Sequence, residues 1–166
     1  MVQAPIQTTT KELAILAVDL IRQAGCEYGD IRICHYRNQN LSASDRSLNR
    51  LSDNVSSGFG VRVLLDGAWG FVASHHITPA EITRIVNLAV ETAKGSRLTQ
   101  QEPVKLVPVE AYQARYITPI KIDPFTVPIQ EKAELLLQIN EQFLSYQDKG
   151  IKKAYSFLSF AQEDKI

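Results

Sequence analysis

Residues 58–73 read GFGVRVLLDGAWGFVA, and the fold turns on how this stretch is parsed. Phe59, Val61, Val63 and Leu65 alternate with Gly60, Arg62 and Leu64, the two-residue period of a strand. Asp66-Gly67 supplies the two positive-φ positions of a type I′ turn. A two-residue turn sets Leu64 opposite Trp69 and Arg62 opposite Phe71, with Val61 opposite Val72 on the other side. Both faces then carry apolar bulk. The hairpin is predicted to sit in a sheet packed on one side by helices and partly covered on the other. Gly58-Phe59-Gly60 has no helix behind it, so it is not a dinucleotide fingerprint. Its glycines mark a bend or a close backbone approach.

Outward from the hairpin, Thr78-Pro79-Ala80-Glu81 opens a helix. Thr78 is its cap, Pro79 its first residue and Glu81 the partner in a capping box. Ile82, Ile85, Val86, Ala89 and Ala93 form one apolar stripe, and Gly95 is expected to end it. Upstream, residues 1–7 read as a disordered lead-in. A first helix follows from Thr9 or Thr10, with Thr9 and Glu12 as its box, and Gly25 stops it. Asp30 to Arg37 reads as a strand. Leu41–Ser44 and Ser47–Ser52 are weaker, polar strand candidates.

Residues 96–128 hold Pro103, Pro108, Pro119, Pro124 and Pro128. They read as an extended crossing, with at best a short strand such as Val104 to Val109. Tyr112, Tyr116, Ile117, Ile120, Ile122 and Phe125 make it too apolar for a free linker, so it is expected to pack on the surface. A third helix begins near Pro128, with Ile129, Ala133, Leu136, Leu137, Asn140, Phe143 and Leu144 on its apolar face and Gly150 as its breaker. Ile151 to Ala161 is a strand. Gln162-Glu163-Asp164 reads as a turn, and Lys165-Ile166 as the opening of a returning strand. That pattern predicts a domain cut short at its C-terminal end. Hairpin-linked strands with helices set apart from them argue for an α+β fold, with a mostly antiparallel sheet and helices on one face.

The 166 residues carry 18 Lys and Arg against 18 Asp and Glu, and 45% are hydrophobic. A chain of this size and composition buries a real core. The balanced charge excludes an electrostatic nucleic-acid binder of the usual kind. Arg32, Arg37, Arg46, Arg50 and Arg62 fall in the β-rich block, but Asp30, Asp45, Asp53 and Asp66 are interleaved with them, which weakens any counterion-release affinity. Cys26 and Cys34 are too few for a disulfide framework, and they fit a reducing, cytoplasmic compartment. No apolar run reaches the ~20 residues of a membrane span, so no membrane partner is expected.

Chemistry-bearing patterns are sparse. No His-Glu-x-x-His, Gly-x-Ser-x-Gly or phosphate loop is present. His75 and His76 are adjacent, and in extended backbone they point to opposite sides, a poor geometry for chelating one metal. Cys26, Cys34 and His35 lack a Cys-x-x-Cys pair. Arg62 stands alone in an apolar strand, opposite Phe71 and near Trp69. It reads as a stacked or ion-paired structural arginine, or as one that meets a ligand or partner. No residue is assigned a catalytic or metal role. Arg62, Trp69, Phe71, His75 and His76 are the candidates for substrate or interface contact.

GFGVRVLLDGAWGFVAS, followed by TPAEITRIVNLAVETAK, resembles the N-terminal region of the TldD/PmbA family. YGDIRICHYR resembles its early strand, and YITPIKIDPFTVPIQEKAELLL the segment leading to its next helix. The resemblance runs from about Thr10 to Ile166. It implies one N-terminal domain, over residues 8–166, of a longer bacterial or archaeal zinc-dependent peptidase, with the catalytic C-terminal domain absent. The family's His-Glu-x-x-x-His helix and later Cys have no counterpart here, so zinc is implied only for the full-length family protein. The implied partners are the chain's own C-terminal domain, a TldD- or PmbA-type subunit in a homo- or heterodimer, and a peptide substrate. Direct nucleic-acid contact is not implied. The older family name, modulator of DNA gyrase, leaves open a protein- or nucleic-acid-interaction module.

Overall fold

A computed structural model describes residues 6–166. The chain runs α1 (Ile6–Gln23), β1 (Tyr28–Ser44), β2 (Ser47–Leu65), β3 (Ala68–Ser74), α2 (Pro79–Arg97), α3 (Ile129–Leu144) and β4 (Tyr155–Lys165). Single 3-10 turns lie at Pro124–Thr126 and Gln147–Lys149. The strands form one antiparallel sheet in the order β3-β2-β1-β4. The expected α+β class holds.

The described residues divide into two compact units. The first holds residues 6–35, 57–111 and 164–166, and the second holds 36–56 and 112–163. In the first unit, α1 and α2 bring Leu13, Ala17, Ile21, Ile82, Ile85, Val86, Ala89 and Ala93 against Ile33, Phe59, Val61 and Val63. Phe59, Val61 and Val63 therefore form the helix-facing side of this part of β2, as alternation requires, and Leu64 on the other side is buried as well. The hairpin register is as read from the sequence, with Arg62 opposite Phe71, Leu64 opposite Trp69 and Val61 opposite Val72. Asp66 and Gly67 carry φ of 50° and 71°, the pair of left-handed residues that a type I′ turn demands. Gly70 matters differently. A Cβ there would lie 2.0 Å from the Ala89 carbonyl oxygen and 2.7 Å from the Ala93 nitrogen, so only glycine lets α2 lie this close on β3.

Thr78 Oγ1 accepts from the Glu81 N–H at 3.3 Å, with Pro79 next to it. The box is half-made, because the Glu81 carboxylate accepts from the Ser74 hydroxyl and from Arg84 instead. α2 does not stop at Gly95. It continues to Arg97, and the Leu98 N–H bonds the Gly95 and Ser96 carbonyls. α1 begins earlier than Thr9, so the Thr9–Glu12 pair lies inside the helix and is not its cap. Of the expected lead-in, residues 6 and 7 are helical, and 1–5 lie outside the described residues.

In the second unit, α3 sets Leu136 on Leu41 and Ala43, with Ile129, Ala133, Leu137 and Leu158 around them. The expected apolar face is rotated. Lys132, Leu136, Asn140 and Leu144 are the buried stripe, at the four-residue spacing of one helical face, while Phe143 is exposed. The polar stretches expected as separate weak strands are continuous parts of β1 and β2, joined by a turn at Asp45-Arg46. Weak propensity is overridden there by pairing with neighbouring strands.

Two further expectations fail. From Lys105 to Ile122 the crossing does not pack on the surface, and no strand forms over Val104 to Val109, whereas Phe125 near its end is half-buried with Arg37 over its ring. Its start is tied down: the Val104 N–H and the Gln100 amide both donate to the Gly67 carbonyl at 2.8 Å. Val107, Val109, Tyr112, Tyr116, Ile117, Ile120 and Ile122 are all exposed. The Gln162–Asp164 turn is also absent. β4 runs straight through these residues, and Ile166 exchanges both backbone bonds with Ile33 at 2.9 and 3.0 Å. The returning strand inferred at Lys165-Ile166 does not exist.

Candidate functional site

Even positions of β2 turn away from the helices, and β1 and β3 present their matching residues beside them. On this open face Arg62 is the centre. Its Nε and Nη2 both donate to Asp30 Oδ2, at 2.9 and 2.7 Å. The guanidinium carbon lies 4.9 Å from the Trp69 ring centre and 5.8 Å from that of Tyr28. Those two rings meet edge to face at 5.8 Å. Arg62 is thus bracketed by two aromatics and anchored by one carboxylate, an arrangement that suits a planar, delocalised cation. The hydrogen bonds to Asp30 push the Arg62 pKa further up. Asp30 is also 3.7 Å from Arg32. Phe71 stands 62% exposed, its ring over Gly60, where a Cβ would come within 2.9 Å of it.

The sequence candidates therefore separate into two groups. Arg62, Trp69 and Phe71 share the open face. Tyr28 and Asp30, which complete it, were missed, because nothing in a lone Tyr or Asp at a strand start marks it as a partner 32 or more residues away. Asp30 sits two residues after Tyr28 on the same strand face, which is the signal that a register for β1 against β2 would have exposed.

His75 and His76 lie elsewhere, in the short link before α2. Their rings are not on opposite sides of an extended backbone but in tilted contact at 3.8 Å. The link is folded, with the Thr78 N–H bonding the His76 carbonyl and the His76 N–H bonding Ser74 Oγ. Beneath them the Glu81 carboxyl is held down to about 2, chiefly by Arg84, then by the Ser74 hydroxyl. This cluster caps the helix and anchors the link. Cys26 and Cys34 are free and half-buried, and burial pushes the Cys26 thiol up.

Residues 29–93 match the family model described as PmbA/TldA metallopeptidase domain 1. A metalloprotease of Methanocaldococcus jannaschii is 30% identical over 130 residues, which cover 78% of this chain and 29% of that protein. A metalloprotease of Methanothermobacter thermautotrophicus is 29% identical over 110 residues, 66% of this chain and 23% of its own length. The chain thus spans less than a third of the curated relatives it matches. Among solved structures, a candidate modulator of DNA gyrase from Bacteroides thetaiotaomicron superposes with a TM-score of 0.69 at 18% identity, covering 93% of this chain and 35% of that one. TldE from Thermococcus kodakarensis gives 0.56 at 14%, over 91% of this chain and 34% of its own. These likenesses are of fold.

The relatives' names imply a metal, and the residues described here do not fit one. No three His, Cys, Asp or Glu side chains gather among them. Asp30 is committed to Arg62, and Glu81 to Arg84 and Ser74. With the family model lying on the hairpin and α2, the sequence and fold agree on one assignment: this chain carries the first domain of the PmbA/TldD metallopeptidase family.

Proposed function

We propose that this chain is the non-catalytic N-terminal domain of a TldD/PmbA-type metallopeptidase, shaping substrate access and the subunit interface. Peptide cleavage and the zinc site belong, in this reading, to the part of the family protein that the chain does not span, and the whole works in the cytoplasm. The observation that carries it is the match of residues 29–93 to a first domain, in a chain whose matched residues cover under a third of its relatives' length. The open face supports the interface part. Aromatic residues around a half-exposed arginine are the composition that recurs where protein surfaces meet.

The test uses the chain alone. Metal analysis and a peptide-cleavage assay are expected to give substoichiometric metal and no chelator-sensitive cleavage. Stoichiometric metal together with cleavage abolished by a chelator overturns the reading. A second reading, an interaction module linked to DNA gyrase, is favoured by how the Bacteroides neighbour is described. Gel-shift titration at two salt concentrations separates the two. Tight, salt-sensitive DNA binding by this neutral chain reverses their order.

A further inference from the structure

The edge of β1 that receives β4 is only partly used in the first unit. Ile33 and Ile166 exchange both backbone bonds, so Ile33 points its N–H and C=O to that edge. Strand groups alternate in direction, so Ile31 and Gly29 turn theirs the same way. Among the described residues no strand lies along β1 from Gly29 to Ile31 on that side, because β1 has only β2 and β4 as neighbours.

The space beside this edge is a groove of about 390 Å³, roofed by Ala14, Ile15 and Val18 of α1 and floored by Gly29, Asp30 and Ile31. The core-facing residues of α1 are Leu13, Ala17 and Ile21. Ala14, Ile15 and Val18 lie on the adjoining flank, so α1 overhangs the unpaired edge. Ile15, one of the lining residues, is an apolar side chain left 52% exposed. A roof of apolar side chains over unpaired strand groups is the shape left when one strand of a helix-covered sheet is missing.

We propose that this groove receives an extended strand, added antiparallel to β1 in the β4 register, from the part of the family protein that this chain does not span. Three observations choose that occupant. The groove continues an existing pairing on the same edge, in register. The relatives hold more than twice as much polypeptide outside the matched region as inside it. The rim carries one charge of each sign, Asp19 and Arg22, and so selects no strongly charged ligand. The incoming strand has apolar residues where it faces Ile31 and Gly29, under α1, and polar residues at the positions between. The proposal stands apart from where catalysis occurs and rests only on the domain assignment.

The test appends five residues to Ile166 as a covalent probe. One tail alternates Thr and Val, with Val at the second and fourth added positions, which oppose Ile31 and Gly29. A control tail has Val at the first, third and fifth positions. Amide exchange by NMR is read at Gly29, Ile31 and Ile33. The first tail is expected to slow exchange at Gly29 and Ile31 at least tenfold over the untailed chain, with Ile33 unchanged. The control tail is expected to protect several-fold less, and Ile15→Glu to remove the protection while leaving Ile33 slow. No protection by the first tail, or equal protection by both, overturns the slot and its register. Concentration-dependent protection in the untailed chain assigns the edge to a second copy and overturns the occupant. A chimera placing this chain on the remainder of the Methanocaldococcus jannaschii relative checks the source. Slow exchange at Gly29 and Ile31 supports it, and fast exchange at both refutes it.

Discussion

The two units solve the same packing problem with different materials. The first closes on an apolar core of Ile, Val, Leu, Ala and one Phe. The second packs Leu41, Ala43 and Leu136 as a small apolar centre, with Leu144 and Ala154 buried outside it, and it also buries Gln39, Lys132 and Asn140. There the Lys132 ammonium donates to Gln39 Oε1 and lies 4.9 Å from the Phe160 ring centre. Gln39 Nε2 donates to Asp53 at 2.8 Å, and Arg37 grips Asp53 through two bonds while lying 4.7 Å from the Phe125 ring centre. Area holds the first unit. A chain of polar contacts holds the second, and each contact left unmade exposes the desolvation cost of its partner. Apolar packing tolerates chemistry but not volume; polar packing tolerates neither a lost partner nor the wrong pH.

The largest expected effect tests the volume half of that contrast. Gly70→Ala forces α2 off β3, because the clash is with helix backbone and no side chain can swing away. A cost of about 3 kcal/mol, at the upper end for overpacking, is expected. Trp69, the only tryptophan, lies in the same strand, so urea unfolding followed by its fluorescence reads the change directly. An unchanged midpoint would mean that the helix does not rest on this glycine.

The partner half is tested by Lys132→Met, which keeps length but leaves Gln39 Oε1 without its donor. A loss of about 1–3 kcal/mol is expected for the orphaned acceptor. Adding Gln39→Leu should cost less than the sum of the single changes, since both ends of the bond are then gone. Amide exchange in α3 reports the result. Strict additivity would show that Lys132 and Gln39 are not coupled.

Legibility in the sequence follows the same division. The hairpin was readable to the residue, because alternation, an Asp-Gly turn and apolar partners all agree there. α2 was readable at its start, where Thr78-Pro79 is chemically explicit, and not at its end, where Gly95 is tolerated inside the helix. The second unit is less legible. Residues 47–56 are polar and mostly exposed, so strand β2 there rests on ladder bonds that leave no mark in side-chain pattern. Nothing in the apolar pattern marks Lys132 for burial, since a lysine is ordinarily solvated, and only its pairing with Gln39 makes its burial intelligible. Of the open face, Arg62, Trp69 and Phe71 were legible from the hairpin register. Asp30 and Tyr28 were not, since their proximity to Arg62 depends on how β1 aligns with β2.

Acid sharpens the comparison with a smaller effect. In the second unit Asp53 is held down from 3.8 to about 2, first by Arg37 and then by Gln39. In the first unit Glu81 is held down from 4.5 to about 2, first by Arg84 and then by Ser74. Both pKa values are depressed on folding, so each contribution is complete above the unfolded value and disappears as pH falls toward the folded one. The Glu81 contribution begins to fade below about 4.5, and the Asp53 contribution below about 3.8. Asp53→Asn should flatten the acid limb for α3 amides between those limits and about pH 2, leaving the Trp69 transition unchanged. Glu81→Gln should do the reverse. Identical effects of both variants on both probes would show that the units share one acid transition.

Arg62 carries the smallest expected effect on stability and the most informative one for function. Its side chain is 40% exposed and that of Asp30 24%, so solvent weakens the ion pair, and such pairs contribute about 0.2–1 kcal/mol. The contact with Trp69 adds about 0.5–1 kcal/mol at an exposed site. Arg62→Met keeps the stem over the aromatic rings and removes the charge, so a loss of about 1 kcal/mol or less is expected in urea unfolding. Arg62→Lys keeps the charge but cannot present two parallel N–H groups to one carboxylate, and should fall between. If Arg62 serves only to bind Asp30 to the sheet, Asp30→Asn should reproduce the loss, and assembly with the remainder of the family protein should be unaffected by either change. An interface role predicts the opposite separation: Arg62→Met weakens that assembly more than tenfold while Gly60, Phe71 and Trp69 keep their amide shifts. The weakest contact in the folding balance thus distinguishes an arginine that completes a sheet from one that meets a partner.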